Sequence, residues 1–146
     1  MSTAVGAMAM AALLALAAQV SAVEMSGAAL DYAVNCQGCH RADGAGTPGS
    51  VPPLVGSVGK FLRVPGGREY LGRVPGVAQA PLDAPALAAV VNWMLDRFGR
   101  DDRPADSVPY TAEEVGRLRQ KPLTDVDGVR RGLVEAIERG SWGPRR

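Results

Sequence analysis

Cys36-Gln37-Gly38-Cys39-His40 is the stretch whose reading decides the fold. Two thiols stand three positions apart and an imidazole follows directly. Such a run reads as covalent attachment of a c-type haem, each thiol bonding one vinyl group of the porphyrin. The imidazole then falls under the iron, delivered by the same turn that carries the covalent links. Both cysteines of the chain and its one histidine are used in these five positions. A structural zinc site needs four ligands, commonly from two paired clusters, and no second cluster is present. A thioredoxin-like dithiol would open a helix inside a βαβ unit, and no strand-like run precedes Cys36. A plain Cys36–Cys39 disulfide in a haem-free helical interaction protein is the remaining alternative.

Moving outward, 146 residues correspond to one domain plus extensions. With 18 Gly, 11 Pro and only 5% aromatic residues, the intrinsic core is thin, and a bound macrocycle would supply the missing apolar volume. A net charge of +1 argues against a general nucleic-acid binder. Residues 4–20 are almost all small or apolar, and Val20-Ser21-Ala22 has the small-x-small character of a signal-peptidase site. The expectation is an exported chain cut after Ala22. No Lys or Arg precedes the apolar run, and its length is near the lower limit for a span, so an uncleaved membrane anchor is the alternative.

The spacing predicts a helix from Ser26 as N-cap through Ala28, Ala29, Tyr32 and Ala33 into the Cys36 turn. Residues 41–59, with five Gly and three Pro, read as loop. In residues 60–83, Val64-Pro65-Gly66-Gly67 and Val74-Pro75-Gly76 read as turns around a short Glu69-Tyr70-Leu71 segment. Asp83 caps a further helix whose apolar set, Leu87, Val90, Val91, Met94, Leu95 and Phe98, recurs at three- and four-residue steps up to Gly99. Beyond a charged linker from Arg100 to Ser107, Thr111-Ala112-Glu113-Glu114 has capping-box spacing and opens a helix ending near Gln120. Thr124 or Asp125 caps a last helix bearing Val129, Leu133, Val134 and Ile137. The amphipathic pair is expected to pack back on the body.

The run from Leu30 to Gly46, containing the attachment motif, resembles the opening of class I c-type cytochromes. Pro52-x-Leu54-x-Gly56 resembles that family's Pro-x-Leu-x-Gly loop, and Val90-Val91-Asn92-Trp93-Met94-Leu95 its C-terminal helix. The resemblance covers about residues 26–99. It implies an all-α cytochrome c fold, with long Gly/Pro loops and an appended C-terminal helix pair. It divides the chain into a signal peptide or anchor (1–22), a cytochrome domain (23–99) and a linker with helical extension (100–146). By the same resemblance, Cys36 and Cys39 hold one covalent haem c and His40 is the proximal iron ligand. The Pro52 carbonyl takes the other ring N–H of His40, and Trp93 packs on the N-terminal helix near Tyr32. Val51 stands where the family often has Gly before that Pro.

The family usually carries its distal Met in the loop before the last core helix. Val74-Pro75-Gly76-Val77-Ala78 has none. After the expected cleavage Met25 and Met94 remain. Met94 is either an axial thioether delivered from a helix, which would raise the potential, or a space-filling core residue. An open or water-occupied iron is the next reading, with Lys60 and Met25 outside candidates.

A six-coordinate iron implies a one-electron carrier and not an enzyme, alone or as a subunit of an oxidoreductase complex. An open site implies a ligand-binding haem protein or haem-binding subunit. No second His accompanies the motif to suggest peroxidase chemistry. Lys60, Arg63, Arg68 and Arg73 against Glu69 read as a basic rim that would steer an acidic redox partner, or as a solvated loop. The Val64–Arg68 and Asn92–Met94 runs resemble a subgroup of small bacterial cytochromes c associated with exported dehydrogenases. The resemblance implies such a periplasmic dehydrogenase as donor and a terminal oxidase or another cytochrome as acceptor. A membrane contact is implied only if the N-terminal segment is retained.

Overall fold

The computed structural model describes residues 27–140, so Ser26, Met25 and the proposed signal segment lie outside the described residues. The fold is all-α. Helix α1 (Gly27–Asn35) runs into the one-turn α2 (Gln37–His40); a 3-10 helix spans Val58–Arg63. Then follow α3 (Gly67–Arg73), α4 (Pro75–Ala78), α5 (Ala84–Phe98), α6 (Ala112–Leu118) and α7 (Val126–Glu138). Among the described residues the only β-type pairing is an isolated bridge, Thr47–Val51. None of the described helices is long and apolar enough to cross a membrane.

The core forms where α1 crosses α5. Tyr32, 2% exposed, puts its ring 5.1 Å from that of Trp93 and 5.4 Å from that of Phe98, and Trp93 meets Phe98 edge-on at 5.8 Å. Each such ring pair adds about 0.5–1.5 kcal/mol beyond the area it buries. Helix α5 begins where Asp83 Oδ1 accepts the Ala86 N–H at 2.9 Å and ends at Gly99, whose N–H reaches the Leu95 carbonyl. Its apolar stripe, Leu87, Val90, Val91, Met94, Leu95 and Phe98, is buried. The 3-10 helix meets the end of α5 with its backbone in close approach at Gly59 and Gly99. A Cβ on Gly59 would run into the Gly99 carbonyl and stand 2.8 Å from the Arg103 nitrogen.

Residues 60–83 are more helical than their turn signals predict. Gly66, at φ +83°, reverses the chain immediately before α3, and Pro75 sits in the first turn of α4. Proline there removes an N–H that would have no intrahelical partner anyway. Both signals mark helix starts, and helices of seven and four residues are too short to show a period.

The extension packs back onto the body. Val115 (fully buried), Tyr110 and Leu133 join the same hydrophobic cluster as Tyr32 and Leu87. Thr111 caps α6 through the Glu114 N–H, and Asp125 caps α7 through the Gly128 N–H. The capping box is only half formed, because the Glu114 carboxylate is taken by Arg68 (Nε–Oε1 2.5 Å, Nη2–Oε2 2.6 Å). A bidentate charged pair outweighs a cap to one backbone N–H.

The expected basic rim is a set of clasps. Arg68 also donates to the Val108 and Pro109 carbonyls and lies 4.0 Å above the Tyr110 ring. Arg73 Nε donates to the Lys121 carbonyl at 2.6 Å, Arg63 donates to the Asp102 carbonyl, and Lys60 pairs with Asp102 at 3.9 Å. The side chains that read as a partner-facing rim or a solvated loop also hold the chain's own C-terminal third.

Candidate haem-binding site

Cys36 lies between α1 and α2, where φ −124° breaks the helix, and is half-buried. Cys39, one turn on, is exposed. Both thiols are free, so the two are not joined as a disulfide. Burial, then Asp31 and Cys39, push the Cys36 thiol above its ordinary range, which keeps it protonated near neutrality. His40 closes α2, its N–H bonded to the Cys36 carbonyl at 3.0 Å.

Three successive carbonyls of this turn are each held by another part of the chain. Thr47 Oγ1 donates to Cys39, the Gly46 N–H to His40 (both 3.2 Å), and the Tyr32 hydroxyl to Arg41 at 2.7 Å. The Gly-rich loop is folded onto the attachment turn and fixes it. Gly46 permits this at φ +70°, where a Cβ would strike the Val51 carbonyl.

The His40 Nδ1 atom is buried with no partner at hydrogen-bond geometry. The Pro52 carbonyl nevertheless acts on the ring to favour a proton, while burial, the larger effect, lowers its affinity for one.

Beside Cys36 opens a small, partly open apolar cleft. Tyr32 and Cys36 form one side, Gly76, Val77, Ala80 and Leu82 a second, and Leu87, Val90, Val91 and Met94 of α5 a third. Met94 is 9% exposed. Cys36 and Met94 share this cleft; Cys39 and His40 continue the turn beside it; Trp93 faces Tyr32 instead. No group of three or more potential metal-binding His, Cys, Asp or Glu side chains occurs among the described residues. Two free thiols, an imidazole with an orphaned nitrogen and an adjacent wall of hydrocarbon fit a flat apolar macrocycle that brings its own four iron ligands.

Reading the sequence missed Tyr110, Asn92 and Arg119. The Asn92 amide clips Tyr110 through both backbone groups (2.9 and 2.8 Å). Arg119 holds the Ala78–Leu82 segment of the cleft wall. All are contacts between distant parts of the chain, which no local pattern announces.

A helical shell closed around a Cys-x-x-Cys-His turn and an apolar slot defines a haem protein of the c type. No family model matches the chain. It is similar to two cytochrome c-552 sequences, both of Thermus thermophilus. Each is 38% identical over 107 residues, a match covering 61% of this chain and 82% or 72% of the respective relative. The chain belongs to this family of small c-type cytochromes, electron carriers with covalently bound haem c.

Proposed function

We propose that the chain is an exported mono-haem carrier that takes one electron at a time from a periplasmic dehydrogenase. It passes each to a terminal oxidase or another cytochrome, and it catalyses no reaction of its own. The observation that carries this reading is the turn of free Cys36 and Cys39 with His40, set against the apolar cleft. In this reading residues 1–22 direct export, as a cleaved signal or a retained anchor. Residues 23–99 form the haem domain and 100–146 its extension.

Cys36 and Cys39 hold the macrocycle, and His40 supplies the proximal nitrogen with Pro52 opposite its other ring nitrogen. Trp93 keeps α5 against α1. Haem c supplies a one-electron Fe(III)/Fe(II) couple. The hydrocarbon wall keeps water from that couple and disfavours the extra positive charge of the oxidised state, which favours reduction.

Met94 is the proposed distal ligand by elimination within the cleft. The Tyr32 hydroxyl is spent on Arg41 and Cys36 belongs to the attachment, while the other lining side chains carry no donor atom. A second reading, an open distal position, is favoured by the Gly76–Leu82 wall, which has no ligand side chain facing the cleft.

The test is direct. Mature protein from a host competent in haem attachment should show thioether-haem bands in alkaline pyridine and the mass of one haem. A polypeptide without added tetrapyrrole would overturn the proposal. Met94→Ala should abolish the red thioether-to-iron charge-transfer band; its absence from the wild-type spectrum would select the open-site reading. Mixing with candidate exported dehydrogenases should reduce the haem by one electron, without turnover of substrate by the cytochrome alone.

A further inference from the structure

Arg119 closes the C-terminal end of α6 and is half-buried. Its guanidinium donates to three carbonyls of one short segment: Ala78 at 3.1 Å, Ala80 at 2.6 Å and Leu82 at 2.6 Å. This segment runs from the last residue of α4, Ala78, towards the start of α5 at Ala84. Its backbone N–H groups bond locally, Ala78 to Val74 and Gln79 to Pro75 (both 2.9 Å), Ala80 to Val77 at 3.3 Å and Leu82 to Ala80 at 2.8 Å, while the Ala78, Ala80 and Leu82 carbonyls all turn to Arg119.

The same residues face two ways. Ala80 and Leu82 line the cleft, while their carbonyls accept from Arg119. A planar fork of five donors suits three converging carbonyls; the point charge of a lysine does not. Charged donors also make the stronger class of hydrogen bond. Gly116, in the same helix, has the Ala84 methyl 3.6 Å from where its Cβ would be, so α6 abuts the start of α5 as well. The extension therefore grips the wall at its least regular point.

We infer that Arg119 is a positioning residue of the haem site: it fixes the Ala78–Leu82 wall and so limits how fast an outside ligand reaches the iron. This rests on the proposal that the cleft holds haem, and it holds whether the sixth position is Met94 or open. In either case a small ligand entering through this wall must first displace the segment Arg119 restrains.

The experiment compares full-length haem-loaded wild type with Arg119→Met, Arg119→Lys and Arg73→Met. The last loosens the extension at Lys121 without removing any bond to the Ala78, Ala80 or Leu82 carbonyls. Two quantities are read: hydrogen–deuterium exchange of the Val77, Ala78, Gln79, Ala80 and Leu82 amides, and the association rate of imidazole with the ferric protein. Arg119→Met should accelerate both about tenfold, the scale expected for losing charge-assisted hydrogen bonds. Arg119→Lys should fall between Met and wild type, and Arg73→Met should leave both within about twofold. Equal acceleration by Arg73→Met would overturn the inference, because general loosening would then explain the effect. So would unchanged exchange or unchanged imidazole entry in Arg119→Met; if that variant fails to fold, the lysine variant is judged by the same two outcomes. Should the wild type carry no haem, the preceding proposal fails, and the exchange measurement alone decides whether Arg119 fixes the segment.

Discussion

Arg41 takes φ +63° without being a glycine, directly after His40, and its carbonyl receives the Tyr32 hydroxyl at 2.7 Å. The bond ties the attachment turn to the centre of the α1–α5 crossing, and burial pushes the Tyr32 phenol up to about 12. Tyr32→Phe should cost about 1 kcal/mol, the net worth of one hydrogen bond, seen as a lower midpoint in urea with an unchanged slope. A second single-residue expectation concerns acid. Hydrogen bonding to Arg68 is the largest of the effects that hold the Glu114 carboxyl below its ordinary value of 4.5. A folded-state pKa below the unfolded one means the unfolded chain binds the proton more readily. Glu114 thus stabilises the fold above its ordinary pKa, and that contribution fades as pH falls through the lowered one. Glu114→Gln should flatten this acid loss of stability while changing the midpoint little between acidified samples. An acid limb as steep as in the wild type would show that other carboxylates control it.

At the scale of elements, the contacts differ in what they tolerate. Asp83, Thr111 and Asp125 were legible as caps because a cap is a local bond, read three residues away. The junction of the 3-10 helix with α5 was not, since two glycines forty positions apart carry no common signature. Gly59→Ala should destabilise by about 1–3 kcal/mol, as overpacking does when backbone has to move. Thermal unfolding would measure it, and a neutral substitution would mean the two elements can separate freely. Helices α3 and α4 escaped for the opposite reason: each is a single short turn or two, started by Gly66 and Pro75, and those residues equally mark loops.

Across the whole molecule, the extension and the haem-bearing half share one hydrophobic cluster, in which Val115 and Leu133 touch the same core as Leu87 and Tyr32. Unfolding should therefore be a single transition. Haem absorbance and far-UV circular dichroism should trace coincident urea curves. Val115→Ala, at a fully buried position, should lower stability by about 2 kcal/mol and move both midpoints together, toward the low end for truncated core side chains. Separate transitions would mean that residues 100–140 fold as an independent unit. The four basic residues of the 60–73 stretch illustrate what local charge leaves out. Sequence shows a local excess of one sign, whereas the Glu114 carboxylate and the Asp102, Val108, Pro109 and Lys121 carbonyls that accept hydrogen bonds from it come from the extension.

The amino-acid order by itself determined the chemistry of attachment, the all-α class and the caps, because each depends on groups within one helical turn of one another. A covalent link through two thiols and a neighbouring imidazole needs no tertiary contact to be recognised. Tertiary structure alone decided that the arginines act as clasps, that Glu114 leaves its helix cap, and that Arg119 reaches back to the cleft wall. Those pairings join segments some forty residues apart. Their partners are mostly backbone carbonyls, which every residue possesses and which leave no mark in a sequence.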